Sequence, residues 1–236
     1  MTSETNERVK RLSENLAEVH GRIEEACRRS GRAAGGARLV AVTKMVNIET
    51  ARMVVELGQN DLGENRVQEM ASKAAALKET GARWHLIGHL QTNKARLAAE
   101  LFDLVHSADS VRVLEALSRH ASALGRELPV LLEAHLSEEP TKSGFEPREL
   151  VGVTERIADL PAIRLEGLMT IAPRSATGED ARPYFRRLRE LRDELGERFP
   201  DLRLRHLSMG MTDDFEAAIA EGATLVRLGR AIFGER

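Results

Sequence analysis

The sequence is poor in several things that whole classes of protein need. It has one cysteine, Cys27, in 236 residues, so an internal disulfide is impossible, and a half-buried structural thiol on a helix is the expected state. Aromatic residues are 3% of the chain, which leaves few rings to stack on bases. Neither sign of charge dominates. Lys and Arg number 35 against 37 Asp and Glu, for a net charge of -2, and no long one-sign block supplies the basic stripe of a nucleic-acid groove. No apolar run nears the length of a membrane span, and the polar, acidic start Met1-Thr2-Ser3-Glu4 lacks the basic-then-apolar pattern of a secretion signal. A cytoplasmic protein is expected, without nucleic-acid or membrane partners.

What is present is alternation. Val9, Leu12, Leu16, Val19, Ile23 and Ala26 recur at spacings of three and four, which predicts an amphipathic leading helix within residues 1–30, ending near Ser30-Gly31. After a small-residue connector, strand-like stretches at 38–43, 59–63, 84–88, 102–107, 129–136, 163–169, 203–207 and 224–228 alternate with helical patterns. The helices are expected at 49–57, 66–78, 92–100, 111–124, 147–158, 180–198 and 213–221. Thr177 with Asp180, Asp213 with Glu216, and Pro147 in a first turn read as helix-start signals. Strict alternation implies parallel strands with helical crossovers. Eight such units close naturally into a (β/α)8 TIM barrel, which removes both sheet edges. A doubly wound open sheet is the alternative, but no Gly-x-Gly-x-x-Gly follows the first strand. No linker divides the chain, so 1–236 is expected to be a single domain.

In such a barrel every polar residue just after a strand faces one mouth. Lys44 ends the apolar run Leu39-Val40-Ala41-Val42-Thr43; held there against a low-dielectric wall, its amine is a Schiff-base candidate, although a lysine that snorkels into water fits the position too. Asn65, His89, His135 and Met169-Thr170 follow later strands. Ser208, Gly210 and Thr212 precede one helix, and Gly229 with Arg230 makes a second small turn. Barrels frequently bind phosphate at these last two loops. A Schiff-base lysine beside a phosphate pocket leaves two chemistries: an aldolase for a phosphorylated sugar, or pyridoxal 5'-phosphate held on lysine. Arg227, inward if Val226 and Leu228 point outward, has a donor for a pyridine nitrogen; the alternative is an interior arginine paired with Glu64 or Glu166.

The segments Ala41-Val42-Thr43-Lys44, Gly63-Glu64-Asn65-Arg66-Val67-Gln68-Glu69, Trp84-His85-Leu86-Ile87-Gly88-His89-Leu90-Gln91, Gly167-Leu168-Met169, Leu207-Ser208-Met209-Gly210-Met211-Thr212 and Val226-Arg227-Leu228-Gly229-Arg230 resemble, in order, the YggS/PROSC family of pyridoxal phosphate homeostasis proteins. The resemblance implies a barrel like the N-terminal domain of alanine racemase. It implies that Lys44 forms an aldimine with pyridoxal 5'-phosphate, that Ser208, with the turn at Gly229 and Arg230, holds the phosphate, that Asn65 and Met169 line the ring, and that Arg227 faces the pyridine nitrogen; Gly210, in the same loop as Ser208, is a candidate cofactor-binding residue by its position. Arg230 stands where many members carry Ser or Thr, His135 where asparagine is expected, and the chain stops at Arg236, short of the tail of many relatives.

An arginine that only donates keeps the pyridine nitrogen unprotonated and weakens the ring as an electron sink. Racemisation also needs a proton-transfer group on each face of the substrate carbon. Tyr184, the one tyrosine, is expected to cover the barrel instead. The resemblance therefore implies a cofactor carrier with little or no turnover, monomeric, yielding its cofactor to apo-enzymes. The alternatives are an amino-acid racemase or other weak cofactor enzyme, and an interaction protein with no cofactor. His85 and His89 have a metal-like spacing but straddle a strand end, so zinc is not expected. Lys142 is a second amine placed to meet the cofactor in transit. Phe185, Leu188, Leu191 and Leu195 share one side of the Arg-rich helix, whose charges form a solvated face.

Overall fold

Buried strands that alternate with amphipathic helices pair on both sides only if their sheet closes, and in the computed structural model it does. The structure describes residues 3–137 and 143–235. Strands β1 (Arg38–Val42), β2 (Asp61–Glu64), β3 (Arg83–Leu86), β4 (Leu104–Ala108), β5 (Leu128–Glu133), β6 (Ile163–Met169), β7 (His206–Ser208) and β8 (Leu225–Leu228) form a closed parallel barrel in sequence order. Helices α2 (Ile48–Glu56), α3 (Val67–Leu77), α4 (Ala95–Leu101), α5 (Val111–Ala123), α6 (Leu150–Ile157), α7 (Arg182–Arg198) and α8 (Phe215–Ala220) connect them, and a short turn, α9 (Arg230–Phe233), follows β8. This is the (β/α)8 barrel expected.

The leading helix α1 (Ser3–Arg29) lies over the barrel's closing seam. Asn15 Nδ2 donates to Ile232 O at 2.8 Å, and the Arg22 guanidinium sits 4.8 Å over the Phe215 ring while pairing with Glu216. Its predicted stripe is buried from Leu12 to Ala26, with Val9 half-buried at its start. Cys27 is buried too, deeper than the half-burial expected, because it falls one turn beyond Ile23 on that stripe.

Other departures have local causes. Strand β5 stops at Glu133, short of the expected 136. Beyond it the chain pairs with a returning segment, as Ala134 bridges Phe145 and the His135 N–H donates to Phe145 O at 2.9 Å. The helices expected from 92, 147 and 180 open on 3₁₀ turns, with Pro147 in a first turn as expected. Thr177 precedes its turn without a side-chain capping bond. Asp213 does not cap α8; it is drawn to Arg230, and Asp214 takes the cap position, its Oδ1 accepting the Met211 N–H at 2.6 Å. At four residues α9 is too short to leave a periodic signal.

Two apolar regions result. A large shell between strands and helices holds most of the buried side chains, including Tyr184 at its edge and Phe185, Leu188, Leu191 and Leu195 from α7. Inside the barrel the apolar cluster is Val40, Leu104, Leu131, Met169 and Leu225.

Candidate cofactor site

Strand register decides which residues meet at the mouth. Val42 is level with Gly63, so Lys44 and Asn65, each two residues on, leave adjacent strands at the same height. Ala41 is level with Leu228, which brings the Gly229-Arg230 turn to Lys44's other side. Met169 is level with Ser208, and the Arg227 N–H donates to Gly210 O at 3.0 Å. The barrel thus gathers at one end Lys44, Asn65, Met169, Ser208, Gly210, Arg227, Gly229 and Arg230. Lys44 itself is exposed in the turn after β1 rather than pressed against an apolar wall, and the next residue, Met45, has φ 59°. Short strands cannot extend the wall that far.

Side chains alternate along a strand, so Arg227 points inward with Leu225, while Val226 and Leu228 join the outer shell. The guanidinium is buried; its Nη1 donates to Ser208 Oγ at 2.5 Å and its Nη2 to Thr170 O at 2.9 Å. Burial pushes its pKa down to about 10. The carboxylates considered as partners are engaged elsewhere. Glu64 faces outward, accepting from Lys73 Nζ and Thr43 Oγ1 at 2.6 Å each, and Glu166 pairs with Arg164 at 3.1 Å. Among the described residues, Arg227 is a buried cation whose hydrogen-bond partners are neutral. Such a group favours an electron-rich or anionic ligand.

The last two loops are braced against each other. Gly210 has φ +93°, and a Cβ there would come within 2.9 Å of Phe215 Cα, so only glycine lets this turn lie on α8. Arg230 extends over the same loop and pairs with Asp213. Asn65 is fixed by its neighbour: a Cβ on Gly88 would meet Asn65 O at 2.4 Å.

Beside these residues a cavity of about 280 Å³ opens, lined in part by Asn65, His89, Glu133, His135 and Ile171. Burial, reinforced by the Asp109 charge, pushes Glu133 up to about 7. Asp109 accepts from or shares a proton with His89 Nδ1 at 2.6 Å, while its Oδ1 and His135 Nε2 are buried without a partner among the described residues. His85 does not face His89; it points into the barrel toward Asp61 and His106. Lys142 lies outside the described residues.

Sequence reasoning passed over Glu133, Asp61 and His106, and weighed His85 only as half of a metal-like pair with His89. The signal was there: polar residues at every second position of otherwise apolar strands, as at Asp61, His85, His106 and Ser208.

Similarity to known proteins agrees with this geometry. The profile of the alanine racemase N-terminal domain matches residues 15–236. The pyridoxal phosphate homeostasis protein of Aquifex aeolicus is 44% identical over 94% of this chain and 97% of its own length. That of Pseudomonas aeruginosa is 42% identical over 95% and 96%. The chain belongs to the pyridoxal phosphate homeostasis protein family. Among solved structures, PipY of Synechococcus elongatus PCC7942 with PLP bound is 37% identical, with a TM-score of 0.84 over 94% of this chain and all of that one. An alanine racemase from Clostridium difficile, 17% identical, shares the fold with a TM-score of 0.73, and this chain covers 56% of it. Among the described residues no helix is long and apolar enough to cross a membrane.

Proposed function

We propose that this chain holds pyridoxal 5'-phosphate at the barrel mouth and serves cofactor homeostasis rather than turnover. The observation that carries the reading is Arg227, a buried guanidinium at the floor of the mouth bonded to a hydroxyl and a carbonyl. PLP-bound PipY, a 37% identical neighbour over 94% of this chain, supports the choice of cofactor. The residues present fit it: a lysine at the rim, a fixed cation on the floor, and two braced turns on the side opposite Asn65.

Bound there, the cofactor supplies an aldehyde conjugated to an electron-withdrawing ring. Lys44 Nζ is the amine that would hold the aldehyde end. Asn65 and Met169 would bound the ring. Arg227 would donate to the pyridine nitrogen and, having no proton to lose at neutral pH, would keep that nitrogen unprotonated. Backbone N–H groups at Gly210 and at the Gly229-Arg230 turn would hold the phosphate, and the Arg230 guanidinium would add charge where a hydroxyl would add one donor. We read the protein as a cytoplasmic monomer that yields the cofactor to apo-enzymes.

The test is an absorbance spectrum of the purified protein, followed by borohydride reduction and mass spectrometry. A yellow protein with a reduced adduct at Lys44, and a Lys44→Ala variant with neither, is expected. A colourless wild type that borohydride leaves unchanged would remove the reading. Sustained racemisation of single amino-acid enantiomers above ~1 per second would replace it with catalysis.

A further inference from the structure

Below Arg227 the barrel interior is crossed by a line of polar side chains. Asp61 Oδ1 lies 2.9 Å from His85 Nε2, His85 Nδ1 lies 2.9 Å from His106 Nε2, and His106 Nδ1 lies 2.7 Å from Ser208 Oγ. Ser208 Oγ in turn accepts from Arg227 Nη1 at 2.5 Å. Each of these residues is buried. The line therefore runs through β2, β3, β4, β7 and β8, from the lower barrel to the floor of the mouth.

The direction of each bond follows from what each group offers. Burial pushes Asp61 up, but hydrogen bonds from His85 and Arg83 outweigh it and hold the carboxyl at about 2. It is a carboxylate and only accepts, so His85 Nε2 carries the proton. Arg83 already neutralises that carboxylate through two bonds, Nε at 2.8 Å and Nη2 at 2.7 Å, so the line needs no second cation. His85 Nδ1 is then an acceptor and His106 Nε2 the donor to it. Burial, with the Arg227 cation nearby, pushes His106 well below the usual histidine value, so it stays neutral and, with its proton on Nε2, its Nδ1 only accepts. The Ser208 hydroxyl proton must point inward to it.

We infer that Ser208 is a positioning residue for Arg227, its hydroxyl aimed by the Asp61–His85–His106 line, and is not a hydroxyl donor to the phosphate. With its proton given to His106, Ser208 Oγ meets Arg227 with lone pairs alone. A phosphate oxygen is also an acceptor, so it has nothing to take from this hydroxyl. The guanidinium gains a partner of fixed polarity and, with Thr170 O, a fixed plane. The inference rests on the cofactor reading for the group Arg227 faces, but the polarity of the line does not.

Two measurements test it. In cofactor-free protein labelled with 15N-histidine, His106 is expected as the Nε2-protonated tautomer; an Nδ1-protonated His106 would overturn the inference without any variant. In binding titrations, Ser208→Ala is expected to weaken pyridoxal 5'-phosphate and pyridoxal alike, by about tenfold or more. The ratio of the two affinities then stays at its wild-type value, Ser208→Thr restores both, and His106→Phe behaves as Ser208→Ala. A loss confined to the phosphorylated form would make Ser208 a phosphate ligand and sink the inference. A wild type that binds neither aldehyde would instead sink the cofactor reading, with the tautomer result standing apart.

Discussion

The shell outside the barrel and the column inside it are built on opposite rules. Between strands and helices the chain packs leucine, valine, alanine and phenylalanine in one continuous apolar layer. Inside, five apolar side chains share the space with Asp61, His85, His106, Ser208 and Arg227, joined end to end by hydrogen bonds. The shell gains from area removed from water and tolerates any well-fitting apolar residue. The column gains little from area, and each member depends on the polarity of the next. Stability is thus concentrated in the layer between strands and helices, while the interior column holds one buried arginine.

That contrast ranks the effects of single changes. Truncating the shell should cost most: Phe102→Ala, at a fully buried position, is expected to lose about 3–5 kcal/mol in denaturant unfolding. A loss under about 1 kcal/mol would mean that the shell is not close-packed there. Next comes Glu133 at the mouth. A carboxyl raised from 4.5 to about 7 holds its proton more tightly folded than unfolded, so stability falls as pH climbs through that window. Glu133→Gln should flatten the decline between about pH 5 and about pH 8, a change of up to ~3 kcal/mol. An unchanged pH profile would show that the group is well solvated.

Asp61 has the opposite sign. Its carboxyl is depressed to about 2, so its contribution is present above 3.8 and is lost as pH falls through about 2. Because the Arg83 side of the pair reaches solvent, Asp61→Asn is expected to cost only about 1–2 kcal/mol at neutral pH. Thermal melts of the variant and wild type should converge in acid; a constant gap would refute the assignment. Smallest of all, Lys44→Ala should change stability by less than about 0.5 kcal/mol, since the side chain is exposed, while abolishing the cofactor's colour. A large stability loss would give Lys44 a structural role.

Much of this was legible in the residues. The run Leu39 to Thr43 reads as a doubly buried strand because both faces are apolar, and the same logic marks the other strands within a few residues. Helices were readable where the apolar period persists for two turns or more, as in α1 and α7, and unreadable in α9. The end of β5 was misplaced because apolar residues recur at alternate positions through Ala134 and Leu136 while the hydrogen-bond partner changes from Met169 to Phe145. The Asp213 cap failed for a similar reason: Asp213 finds a cation from the next loop, and its neighbour Asp214 takes the turn.

Local sequence fixes which stretches are strands and helices, because periodicity is a property of neighbouring residues, and eight alternations leave closure as the economical solution. It also marks Lys44 and the turns at Gly210 and Gly229 as residues at strand ends. Only the closed barrel decides that Arg227 meets Ser208 and Thr170 rather than a carboxylate, and that His106 reaches a serine 102 residues away. Those pairings depend on which inward-facing side chains share a height across the barrel, and that is set by register between strands rather than by any one strand's residues.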